Sequence, residues 1–135
     1  MKSLNVLLVD DDPVFHMINT KILQRMGLTK ISTADNGKEA LTFLGKSSSE
    51  DQTIPDAIFV DLNMPILDGF GFIEAFMKSN IHNKNKVHIA ILTSSINPDD
   101  IKRAGELGIQ DYLTKPITEN SVRSVLESIA IRQVA

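Results

Sequence analysis

The chain alternates short apolar runs with longer segments in which apolar residues recur every three or four positions. Val6-Leu7-Leu8-Val9, Ala57-Ile58-Phe59-Val60 and Val87-His88-Ile89-Ala90-Ile91-Leu92 are too short for helices. Their branched and aromatic content predicts strands buried on both faces. Ile31-Ser32-Thr33-Ala34 and Asp111-Tyr112-Leu113-Thr114 predict two further strands. Between the strands the period lengthens. Pro13 opens a helix at its favoured first-turn position, with Phe15, Ile18, Ile22 and Met26 on one face and Asn19, Lys21 and Arg25 elsewhere. Gly27 stops it. Asp35-Asn36-Gly37 turns into a second helix, predicted through Leu44, and a third over Phe70 to Lys78 faces Ile73, Phe76 and Met77 inward. Asn97-Pro98-Asp99-Asp100 begins a fourth with a capping residue, a proline and acids at its positive end, running to about Leu107 before Gly108. The last, Thr118 to about Ile131, carries Val122, Val125, Leu126 and Ile129 on one stripe. Gly45 to Pro55 and Asn80 to Lys86 are polar and read as surface loops.

Five repeats of strand then helix predict an α/β domain: a doubly wound, five-stranded parallel sheet with right-handed crossovers and helices on both faces. Residues 1–135 are expected to form this one domain, with no output domain after the last helix. Composition narrows the chemistry. There is no Cys, which excludes thiol chemistry, disulfides and Cys-ligated metals and fits a reducing cytoplasm. No apolar stretch has the length of a signal peptide core or a membrane span. The net charge of −3 argues against direct nucleic-acid binding through a general phosphate field.

A parallel sheet brings the C-terminal ends of its strands to one edge, so residues distant in sequence become neighbours there. The strand ends supply Asp10, Asp11 and Asp12, then Asp61, then Thr93 and Ser94, then Lys115. Crowded carboxylates resist ionisation unless a cation neutralises them, and oxygen-only ligands suit Mg²⁺. A carboxylate can also attack phosphorus to form an acyl phosphate, with a metal and a Lys balancing charge and a hydroxyl donating a hydrogen bond. Asp12, directly before Pro13, reads as a helix cap rather than a ligand. His16 reads as an exposed helix position, His82 as loop and His88 as strand.

Asp10-Asp11, Asp61-Leu62-Asn63-Met64-Pro65 with Asp68-Gly69, Leu92-Thr93-Ser94 and Tyr112-Leu113-Thr114-Lys115-Pro116 together resemble the receiver domain of two-component response regulators. The resemblance runs from Val6 to about Ile131. It implies a flavodoxin-like (βα)5 fold with strand order 2-1-3-4-5. It also implies that Asp61 is the phosphoacceptor, supplied by a histidine kinase or a histidine phosphotransfer protein. By the same resemblance, Asp11, Asp61 and the backbone carbonyl of Asn63 ligate Mg²⁺, or Mn²⁺ in its place, and Asp10 holds the metal through its waters. Lys115 then contacts the phosphoryl group, Thr93 bonds to it after transfer, and Tyr112 is the aromatic that changes rotamer. Asn63 and Ser95 occupy the positions that tune hydrolysis. Such a protein is a signalling phosphoacceptor that catalyses its own phosphorylation and dephosphorylation, and its effector surface spans about Pro98 to Ile131. Ser94 departs from the Ala or Gly usual after the Thr, which narrows access to the phosphoryl group.

Two rivals compete. Asp10-Asp11-Asp12-Pro13-Val14 also fits the opening motif of haloacid-dehalogenase-like phosphatases, with Asp10 as nucleophile. That reading needs an acidic strand end after the Lys and leaves Asp61 without a role. A receiver-like module that binds partners without phosphorylation is the other. Such modules usually lack an acid or the Lys, and this chain has them all. The cognate kinase, the effector, the phosphoryl lifetime and the oligomeric state have no signature in the sequence.

Overall fold

The two most apolar runs, β1 (Asn5–Val9) and β3 (Ala57–Asp61), lie side by side at the middle of a parallel sheet. The computed structural model describes residues 4–49, 54–94 and 96–134. The remaining elements are α1 (Pro13–Arg25), β2 (Lys30–Ala34), α2 (Gly37–Ser49), α3 (Gly69–Lys78), β4 (His88–Thr93), α4 (Pro98–Glu106), β5 (Asp111–Thr114) and α5 (Glu119–Val134). The strand order is β2-β1-β3-β4-β5, as the resemblance implied.

Each buried strand divides its side chains between two cores, as the two-residue period requires. Leu7, Val9, Ile58, Val60, Ile89 and Ile91 face α2, α3 and α4. Val6, Leu8, Phe59, Ala90 and Leu92 face α1 and α5. Every residue of β3 and β4 is buried, which is why neither run shows a polar alternation. Gly27 and Gly108, at φ +87° and +81°, take the left-handed conformation that closes α1 and α4. Asp12, Asp68 and Asn97 cap α1, α3 and α4 by accepting from Val14, Gly71 and Asp99 N–H groups.

Several sequence expectations are corrected. α2 does not end at Leu44 but runs on to Ser49, taking up the first half of the expected loop, and Ser47 is buried. Residues 50–53 of that loop lie outside the described residues. In α1 the buried positions are Asn19 and Leu23, so Asn19 belongs to the core face and not the polar one. Met77 is 37% exposed, because its neighbour Phe76 takes the inward position. The Asn80 to Lys86 loop contains a 3₁₀ turn at Lys84–Lys86, and Lys84 Nζ donates to the Met77 and Ser79 carbonyls at the end of α3.

Candidate functional site

Parallel register sets the site. Val9 pairs with Val60, so the next residue of each strand, Asp10 and Asp61, leave the sheet side by side. Asp10 still donates its N–H to Ala34 O, and Lys115 N–H bonds to Thr93 O one step beyond the β4–β5 ladder. The side chains of Asp10, Asp61, Thr93 and Lys115 therefore stand on backbone that the ladder has already fixed.

Asp10 and Asp61 are 3% and 5% exposed, depths at which an unpaired charge is costly. Lys115 relieves part of that cost. Its Nζ lies 2.6 Å from Asp10 Oδ2 and 3.1 Å from Asp61 Oδ2. Burial pushes the Asp61 carboxyl above its ordinary value; Lys115 pulls it down without cancelling that effect, and the Asp10 charge adds to it. Burial works against the Lys115 ammonium, and the two carboxylates outweigh it, so Lys115 is raised and stays charged.

One ammonium between two acids leaves negative charge over, and Asp11 adds a third, exposed carboxylate. One oxygen each of Asp10, Asp11 and Asp61 lies within 4.8 Å of the others. This all-oxygen set with excess negative charge fits a hard divalent cation. The loop after Asp61 is held at both ends: Gly69 N–H bonds to Leu62 O, and Gly37 N–H to Leu67 O. Asn63 N–H points back at Asp61 Oδ1 over 3.4 Å, and the Asn63 side chain is exposed.

Thr93 is buried at the end of β4. The Tyr112 hydroxyl lies beside the Thr93 side chain and the Asn97 backbone, is itself buried, and makes no well-aligned hydrogen bond. Burial raises its pKa. Asp10, Asp11, Asp61 and Lys115 are thus together and Thr93 ends the neighbouring strand, while Tyr112 lies on the α4 side of Thr93. Ser94 is exposed, and Ser95 lies outside the described residues.

His16 corrects the sequence reading. Its side chain is 12% exposed, and Nε2 sits 2.7 Å from the Asp10 carbonyl and 3.6 Å from Asp35 Oδ1. A carbonyl only accepts, so Nε2 carries the proton. Phe15, placed with Ile18, Ile22 and Met26 on one helix face, lies under Lys115, whose Nζ is 4.3 Å from its ring centroid. The two residues share the first turn of the helix that follows the acids, the one sequence signal that could have placed them here.

The response regulator receiver domain model matches residues 6–127. This chain belongs to the response regulator receiver family. It is 27% identical to a probable chemotaxis protein CheY of Rhizobium etli over 128 residues, covering 95% of this chain and 93% of that protein. It is 36% identical over 122 residues to the sensor histidine kinase CheAY of Helicobacter pylori, covering 90% of this chain but 14% of that protein. Receivers therefore occur within larger chains too. Among solved structures, a two-component response regulator from Cytophaga hutchinsonii superposes with a TM-score of 0.87 at 27% identity, covering 96% of this receiver and 98% of that one. Among the described residues no helix is long and apolar enough to cross a membrane.

Proposed function

We propose that this receiver is a cytoplasmic phosphoacceptor switch in which Asp61 takes a phosphoryl group from a histidine kinase or a histidine phosphotransfer protein. One observation carries this: oxygens of Asp10, Asp11 and Asp61 gather within 4.8 Å while Lys115 Nζ stands 3.1 Å from Asp61. Acids alone would hold a cation, and an ammonium alone an anion. Both on one carboxylate suit a phosphoryl group arriving there.

In the transfer an Asp61 oxygen bonds to phosphorus as the donor's P–N bond breaks, and the donor imidazole keeps the electron pair. Asp11, Asp61 and the Asn63 carbonyl, with Asp10 acting through water, would hold Mg²⁺ or Mn²⁺, which would neutralise charge on the phosphoryl oxygens. Lys115, charged and already beside the acceptor, meets one phosphoryl oxygen. The Thr93 hydroxyl donates to another after transfer, and Tyr112 moves against the space that Thr93 leaves. Asn63 and Ser95, at the two positions that tune hydrolysis in the family, set the lifetime of the acyl phosphate. Residues 98–131 carry the change to a protein effector. Moving such a switch from mostly off to mostly on takes about 5.5 kcal/mol of differential interaction, which a multiply bonded dianion in a buried site can provide.

Intact mass after incubation with Mg²⁺ and acetyl phosphate tests the reading. The expected result is one hydroxylamine-labile phosphoryl adduct, absent without Mg²⁺ and absent in Asp61→Asn. An adduct that persists in Asp61→Asn overturns the assignment of the acceptor. Unphosphorylated protein after exposure to both acetyl phosphate and a panel of phosphorylated kinases and phosphotransfer proteins favours the phosphate-independent binding module.

A further inference from the structure

α1 touches Lys115 at one point and its loop at another. Phe15 and Asn19 are four residues apart, about one turn, and so lie on one face of that helix. The Phe15 ring lies 4.3 Å from the Lys115 ammonium. Asn19 Oδ1 accepts the Ile117 N–H at 3.3 Å, two residues beyond Lys115, across the Lys115–Pro116 peptide. Asn19 is 2% exposed and sits where an apolar side chain would pack more readily, so its place on the core face needs a polar partner. That partner is the loop that carries Lys115.

The ring does what the carboxylates cannot. In the resting protein Lys115 is held by Asp10 and Asp61. Both contacts change during transfer: Asp61 gives its oxygen to phosphorus, and the charge of Asp10 is shared with the cation. The face of Phe15 carries no proton and takes no part in either exchange. Its attraction for an ammonium is larger where water is scarce, and the Lys115 side chain is only 6% exposed.

We propose that Phe15 and Asn19 are positioning residues that hold the Lys115 ammonium and its loop in place while the counter-ions of Lys115 change. This rests on the role given to Lys115 above. Phe15→Leu is expected to slow phosphoryl uptake from acetyl phosphate roughly tenfold, with Mg²⁺ affinity unchanged, and Phe15→Tyr to restore the rate. In a Lys115→Ala background Phe15→Leu should cost nothing further, because what it positions is gone. An equal loss in both backgrounds, or no rescue by Tyr, overturns the proposal. The Lys115 ε-methylene protons, shifted upfield by the ring current, give a readout independent of phosphorylation. The shift should persist in Phe15→Tyr and vanish in Phe15→Leu; its absence from the wild type refutes the contact. Asn19→Leu should speed hydrogen exchange of the Ile117 amide and slow uptake in the same Lys115-dependent way, and unchanged exchange removes Asn19 from the proposal. A wild type that takes up no phosphoryl group fails the functional reading itself, and the proton shift still decides whether Phe15 holds Lys115.

Discussion

Asp61 is buried beside a second carboxylate, and that burial keeps its pKa above the ordinary 3.8 even with Lys115 against it. The folded protein therefore binds this proton more tightly than the unfolded chain does. The linked stability is present below pH 3.8 and is lost as pH rises through the raised value. Asp61→Asn is thus expected to be more stable than the wild type at pH 7, by about 1 kcal/mol, and equal to it near pH 3. Urea unfolding at the two pH values checks this; a variant less stable at pH 7 would mean that the Lys115 ion pair dominates. Gly69 answers to space rather than charge. A Cβ there would run into the Asp61 carbonyl and come within 2.8 Å of Leu62 Cα, both of them backbone. Gly69→Ala should cost about 1–3 kcal/mol and should slow transfer as well, because the displaced group is the acceptor's own backbone. Thermal melts and phosphorylation rates on the same sample separate the two effects, and loss of stability with an unchanged rate would place the relaxation elsewhere.

Between β3 and α3 the chain makes a three-residue turn, with Leu67 N–H bonded to Pro65 O at 2.8 Å. Ile66 at its apex has φ +72°, a conformation strained for a branched side chain, and is 77% exposed. Relief of the strain exceeds the extra chain entropy, so Ile66→Gly should raise stability by about 1 kcal/mol. A fall would show that the Ile66 side chain packs against something that repays the strain. The five strands and the edge residues Asp10, Asp61, Thr93 and Lys115 were legible in the sequence. A residue one step past a buried run in a parallel sheet has only one place to go. Helix faces were less legible. Asn19 and His16 look outward by periodicity, but each has a backbone partner inside, the Ile117 N–H 98 residues away and the Asp10 carbonyl. No helical period reports such a partner. The end of α2 was hidden too, because Gly45 and the serines after it are weak helix formers that tertiary packing overrides.

Across the whole molecule, the sheet order joins folding to cation binding. β1 and β3 carry Asp10 and Asp61 in adjacent strands, yet the two acids are 51 positions apart in a chain with 17 acids and 14 bases, so only the folded state assembles the cluster. A cation that binds the folded state alone stabilises it by mass action, about 2.7 kcal/mol at a hundred times Kd, or roughly 8 °C in melting temperature for a chain of this size. The ligands must be deprotonated to bind. Because the pKa of Asp61 is raised, the Mg²⁺-induced shift should shrink as pH falls through that raised value. Asp11 discriminates between a metal site and a general effect of salt. It is exposed, so Asp11→Asn should leave the metal-free melting point nearly unchanged while removing most of the Mg²⁺ shift. Melts with and without MgCl₂, at matched ionic strength and at several pH values, decide the point. If Asp11→Asn keeps the whole shift, the cation sits elsewhere, and the part assigned to Asp11 in phosphoryl transfer falls with it.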